Sequence, residues 1–182
     1  MTKRELRQVQ AIVLVVASLA YIGFKNFPSH KTPEVAPEKA KDEFYYVSRV
    51  VDGDTLKLSD GERVRLIGVD TPEVHYSDKL LRDAKKSGKD VSDIQAMGQK
   101  ASDFTKSLVS GKRVRLEFDV KRRDRYGRLL AYVYLLSGEF VNAEIVKAGY
   151  AQPMTIPPNV KYAELFQKLY QEARENKRGL WR

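Results

Sequence analysis

Beyond residue 44 the chain alternates apolar and polar side chains with the period of two that a half-buried strand requires. "YYVSRVV" (45–51) and "TLKL" (55–58) are followed by "RVRLIGV" (63–69), and Asp60-Gly61 between the latter two reads as a hairpin turn. Leu56 and Leu58 share a face, as do Val64 and Leu66. Farther on, "KRVRLEFDV" sets Val114, Leu116 and Phe118 against Arg113, Arg115 and Glu117, and "RLLAYVYLL" follows the Tyr126-Gly127 turn as a further partner. The pattern predicts five short strands.

Between and after these strands the period changes to that of a helix. Ile94, Met97, Ala101, Phe104 and Leu108 form a stripe that stops at Gly111, and "VNAEIVKAG" is a short helix stopped by Gly149. Tyr162, Leu165, Phe166, Leu169, Tyr170 and Ala173 make a third stripe, whose aromatic members belong to the core. The economical assembly is an α+β fold: a five-stranded antiparallel β-barrel with three packed α-helices, since closure protects the sheet edges and each helix buries one stripe.

The start of the chain differs in kind. A short basic region precedes an apolar run from Ala11 to Phe24, and Lys25 follows it. Residues 1–26 read as a signal peptide or a membrane anchor, with Ser18-Leu19-Ala20 as a small-x-small cleavage site in the first case. Residues 27–43, rich in Pro, Lys and Glu, read as a linker, and residues 44–182 as the folded domain. Both readings expect that domain to be secreted or membrane-anchored on the extracytoplasmic side.

Composition narrows the chemistry. With 10 Tyr, 7 Phe and 42% hydrophobic residues among 182, the chain can build the core of one domain. The net charge is +9, and residues 1–36 contribute only five Lys and Arg against two Asp and Glu, so the folded part is basic in its own right and favours polyanions. The absence of cysteine excludes disulfides, thiolate zinc sites and Cys nucleophiles, and His30 and His75 are too few for a histidine metal centre. Any metal must be held by oxygen, which favours Ca²⁺ or Mg²⁺.

Against that background the acids of "VVDGDTLKLSDGERVRLIGVDTPE" stand out, because carboxylates on strands are costly unless solvated, paired or bound to a cation. Asp52 and Asp54 flank Gly53, which permits a tight bend, and Asp70 and Glu73 straddle Pro72 in a second bend. Arg65 lies on the strand between them, and a bulge at Gly68 would let it approach Asp70 and Glu73. The stretch is either a decorated surface hairpin or a metal site. Similarly, "KRRDRYGRLLAY", with five cationic residues, is either a solvated basic loop or a phosphate clamp built on Arg128.

Taken in order, "VVDGDTLKL", "VRLIGVDTPE", "DRYGRLLAY", "VNAEIVKAG" and the terminal "GLW" resemble the staphylococcal nuclease (thermonuclease) family over residues 44–182. The resemblance implies an OB-fold barrel and a Ca²⁺-dependent nuclease that hydrolyses DNA and RNA to products with 3′-phosphate ends. It implies Asp54, Asp70 and the Thr71 carbonyl as calcium ligands, with Asp52 in support. Arg65 and Arg128 would bind the scissile phosphate and stabilise its transition state, and Glu73 would be the general base that takes a proton from, or orients, the attacking water. Arg125 and Tyr126 would lie next to the nucleotide phosphate. The expected partners are DNA or RNA, and the membrane if the N-terminal segment is retained, and the expected state is a monomer.

Two stretches depart from the staphylococcal enzyme. "AQPMTIPPN" offers Met154 and Ile156 where that enzyme has a tyrosine-bearing segment packed on the nucleotide. The segment 74–99, with His75, Tyr76 and several lysines, is longer, and reads as a flap over substrate or as a solvated loop. The alternative function is a non-catalytic OB-fold module, anchored at the membrane, that binds nucleic acid or protein, a class that typically loses the acids or arginines retained here.

Overall fold

The computed structural model describes residues 43–182, so the expected signal or anchor, and the expected linker up to its last residue, lie outside the described residues. Among the described residues no helix is long and apolar enough to cross a membrane. Strands β1 (Phe44–Asp52), β2 (Thr55–Leu58), β3 (Arg63–Leu66), β5 (Arg113–Glu117) and β6 (Leu129–Leu135) close a barrel in the order β1-β2-β3-β6-β5. Val47, Leu56, Leu58, Val64, Leu66, Val114 and Val133 fill it, the inward members of the alternation seen in the sequence.

Two features of the sheet differ from the expectation. The pairing is antiparallel except between β3 and β6, which run parallel with Val64 opposite Leu129. The reason is arithmetic: an odd ring of strands cannot alternate direction all the way round, so one seam must be parallel. Second, "RVRLIGV" is not one strand. The chain turns at Gly68 (φ +78), whose missing side chain leaves room for the ring of Phe166, and Gly68–Asp70 leaves the barrel as β4. There it pairs with β7 (Gln152–Met154), Asp70 facing Gln152.

Among the described residues there are four α-helices where three were expected. The unexpected one, α1 (Asp78–Ser87), lies in the segment read as flap or loop. It begins where the Ser77 hydroxyl accepts a bond from the Leu80 amide and ends at Gly88 (φ 69). Leu80 is its one buried residue, so a single apolar anchor stands where the other long helices have a run of spaced apolar positions. Helix α2 (Val91–Val109) buries Ile94, Ala101 and Val109 and packs on β1 and on α1. Helices α3 (Val141–Lys147) and α4 (Ala163–Glu175) pack on each other, α4 inserting Phe166 into the core.

The buried amide of Asn142, at the start of α3, locks the point where the chain leaves the barrel. Its oxygen accepts from the Val133 amide at 2.9 Å, and its nitrogen donates to the Ile67 carbonyl at 2.9 Å and the Ala131 carbonyl at 3.4 Å. Asn142→Ala therefore leaves buried backbone groups unpaired, and we expect it to lower the unfolding free energy by about 3 kcal/mol in urea titrations. A loss below about 1 kcal/mol would show that the amide is not what ties α3 to the barrel.

Candidate active site

The two acidic bends meet at the rim of the barrel. Asp54, in the turn between β1 and β2, is only 6% exposed, and each of its oxygens is engaged. Oδ1 accepts from the Thr55 hydroxyl at 3.0 Å, and Oδ2 accepts from the Thr71 amide at 3.1 Å and the Thr71 hydroxyl at 3.2 Å. The close approach rests on Gly53, since a Cβ there would stand 2.7 Å from the Thr71 side chain. From the other side, the Thr105 hydroxyl on α2 donates to the Gly53 carbonyl at 2.8 Å and fixes the bend.

Arg65 joins the bends electrically. Its Nη1 lies 3.0 Å from Asp54 Oδ2 and its Nη2 3.4 Å from Asp70 Oδ1, while Nη1 also donates to the Val69 carbonyl at 2.6 Å. The fork therefore reaches Asp54 and Asp70, whereas Glu73 is held by a different cation. Burial works to raise the Asp54 carboxyl, but the Arg65 charge and the hydrogen bonds outweigh it and hold it below the ordinary carboxylate value. Asp52 has no such cation: burial, followed by the nearby Asp54 charge, pushes it up to about 7. Asp70, half-buried, is raised by burial in spite of its cationic neighbours.

That other cation is Lys79, from the first turn of α1, which the sequence reading missed. Its Nζ lies 2.9 Å from Glu73 Oε1, 3.2 Å from Asp70 Oδ1 and 3.2 Å from the Thr71 carbonyl, with Asp83 Oδ2 farther off at 3.8 Å. Burial disfavours its charge, but Asp70 and Glu73 outweigh that and raise its pKa. A basic residue in the first helical turn opposes the helix dipole, which adds to the need for the acids around it, but the sequence did not show the helix and so held no signal for it. Behind it, the backbone of Pro72 and Glu73 rests on Gly98 of α2, where a Cβ would come within 2.6 Å of the Glu73 carbonyl.

The second basic element comes from the loop before β6. Arg128 Nε donates to Asp124 Oδ2 at 2.7 Å, and the Arg128 amide donates to Asp124 Oδ1 at 3.0 Å, so Asp124, also missed in the sequence, aims this guanidinium. Arg65 and Arg128 line one cavity of about 170 Å³ whose remaining wall includes Leu130, Met154, Ile156 and Pro157. Arg125 and Tyr126 stand outside at the loop tip, the guanidinium donating to the Tyr126 hydroxyl at 2.7 Å. His75 and Tyr76 are exposed.

Among the described residues no three acidic or histidine side chains converge closely enough to enclose a metal ion, because Arg65 and Lys79 stand between them. The donor set nevertheless suits a hard cation. Asp70, Glu73 and the Thr71 carbonyl already gather their oxygens around one positive charge, Asp54 also feels that charge, and Asp52 lies beside Asp54.

The shift at Asp52 has a consequence for stability. Its folded pKa, about 7, lies above its ordinary value of 3.8, so the metal-free fold carries no penalty at low pH and loses stability as pH rises from 4 towards 7, while the unfolded chain ionises first. We expect Asp52→Asn to flatten that fall and to stabilise the metal-free protein above pH 7. Parallel melting-temperature profiles of variant and wild type in this window would refute the assignment.

The family model described as "Staphylococcal nuclease homologue" matches residues 63–182. A thermonuclease of Staphylococcus intermedius is 39% identical over 177 residues, covering 95% of this chain and 94% of its own. A thermonuclease of Staphylococcus hyicus is 35% identical over 175 residues, covering 93% and 95%. Endonuclease YncB of Bacillus subtilis is 39% identical over 140 residues, covering 74% of this chain and 60% of its own. A match of this extent, on a closed five-stranded barrel with the expected motif order, places the chain in the staphylococcal nuclease family.

Proposed function

We propose that this chain is an extracytoplasmic, calcium-dependent nuclease that hydrolyses phosphodiester bonds of DNA or RNA to products with 3′-phosphate ends. The observation that carries the reading is the meeting of the acidic bends with two guanidinium groups at one rim: Arg65 touches both Asp54 and Asp70 and shares its cavity with Arg128. Relatives named thermonuclease and endonuclease support phosphodiester chemistry, and the apolar run Ala11–Phe24 behind a basic start supports export.

Asp54, Asp70 and the Thr71 carbonyl would hold the calcium ion, with Asp52 behind them. Bound there, the ion supplies Lewis-acid charge to the phosphate and lowers the pKa of water. The chain's own residues do the rest. Arg65 and Arg128 offer planar donor forks to the non-bridging oxygens, whose negative charge grows as water attacks phosphorus. Glu73 Oε1 lies beside Asp70 through their shared contact with Lys79, a position from which it can accept a proton from water or orient it. The aliphatic wall of Met154 and Ile156 would pack against sugar or base without stacking, and Arg125 with Tyr126 would meet a neighbouring phosphate.

Incubation of the full chain with single-stranded DNA, duplex DNA and RNA, in Ca²⁺, in Mg²⁺ or in excess chelator, tests activity, metal and substrate together. We expect cleavage with Ca²⁺, none in chelator, and product ends that mass spectrometry identifies as 3′-phosphates. Undiminished cleavage in chelator would remove calcium from the mechanism, and tight metal-independent binding without cleavage would favour the binding-module alternative. Arg128→Ala and Arg65→Ala should each lower kcat by about 10²-fold or more, the scale of a lost transition-state donor. Wild-type kcat in either variant would end its role as a phosphate clamp.

A further inference from the structure

Lys79 is the group for which the proposed reaction has no role. It nevertheless occupies the centre of the acidic site: its ammonium has three donors, and they meet three oxygens, on Asp70, Glu73 and the Thr71 backbone, at 2.9–3.2 Å. Two of these, Asp70 and the Thr71 carbonyl, belong to the oxygen set that would hold a cation. A protonated lysine and a divalent ion cannot share those oxygens, because two positive charges a few Å apart in a half-buried site repel strongly.

We infer that Lys79 is a tethered internal cation that occupies the metal position and competes with Ca²⁺ for Asp70 and the Thr71 carbonyl, while also holding Glu73, so that it sets the calcium concentration at which the site loads. The inference rests on the proposed metal-dependent reading. Three features make it an exchangeable plug rather than a permanent strut. Its side chain keeps 31% of its surface exposed, which leaves a way out to solvent. Its stem is flexible and arises from the first turn of α1, whose Ser77 cap fixes the backbone while leaving the side chain free to swing. Asp83, one turn on and already 3.8 Å from the ammonium, offers a landing point away from the metal oxygens. Tethering also makes the competitor intramolecular, so its effective concentration stays high until Ca²⁺ displaces it.

Calorimetric titration of Ca²⁺ into the metal-free full chain tests this without any measurement of cleavage. We compare wild type, Lys79→Met, Lys79→Arg and Asp83→Asn, and record the metal-free melting temperature of each. Lys79→Met should bind Ca²⁺ at least about tenfold more tightly, as removal of a unit charge a few Å from the ion requires. It should also melt lower without metal and regain more on adding Ca²⁺ than wild type does. Lys79→Arg keeps a cation and should stay near wild-type affinity. Asp83→Asn leaves every proposed metal oxygen intact but weakens the landing point, and should reduce affinity about two- to threefold. Equal or weaker Ca²⁺ binding by Lys79→Met beside measurable wild-type binding would overturn the inference and leave the metal reading standing. Absence of Ca²⁺ binding in wild type and in every variant would overturn both.

Discussion

The site depends on one buried carboxylate. Removing Asp54 from water costs several kcal/mol unless its charge is met by hydrogen bonds and a counter-ion, and the chain supplies both from distant positions. The amide and hydroxyl of Thr71 bind Oδ2, the Thr55 hydroxyl binds Oδ1, and Arg65 brings the positive charge. These contacts force three separate stretches to converge: the β1–β2 turn, the middle of β3 and the end of β4. Gly53 belongs to the same constraint, because any side chain there would push Thr71 out of reach. Asp54 is therefore as much the organiser of the two bends as a candidate ligand.

Much of this fold was legible because it rests on periodic burial. The alternation around Leu56, Val64, Leu116 and Val133 marks strands with one dry face, and the stripe from Ile94 to Leu108 marks α2. What escaped was structure that burial does not encode. Helix α1 is set by the cap at Ser77 and by the tight turn at Gly88, with Leu80 its only buried residue. The division of "RVRLIGV" depends on a left-handed glycine facing an aromatic ring from a helix about a hundred residues later, which no local window contains. The parallel β3–β6 seam follows from closing five strands, a property of the ring and not of any strand.

The site divides the same way. The acids and arginines of the two bends and of the Tyr126-Gly127 turn are visible as unusual residues in strand and turn contexts. Lys79 and Asp124 are not, since a lysine in a basic segment and an aspartate in a turn look ordinary. Their importance comes from partners: Asp124 binds both the amide and the side chain of Arg128, and Lys79 reaches across to Asp70, Glu73 and Thr71. Sequence patterns expose the groups that are out of place more readily than those that hold them.

Charge explains why such holders are needed. Asp54, Asp70 and Glu73 bring three negative charges to the rim, and Arg65 and Lys79 return two. Exchange of the ammonium for a divalent ion would complete the balance, on the reading proposed above. Arg128 faces the opposite problem. Its charge is already answered by Asp124, so on the proposed reading a phosphate would compete for the guanidinium while Asp124 keeps it aimed. The Nε is taken and the terminal nitrogens remain available, which gives an arginine oriented before substrate arrives and still able to present its fork. Preorganisation of this kind limits the entropy lost on binding, and the acid that provides it also tempers affinity for the ground-state phosphate. On that reading the net gain would be greatest where the phosphate carries the most charge, which is at the transition state.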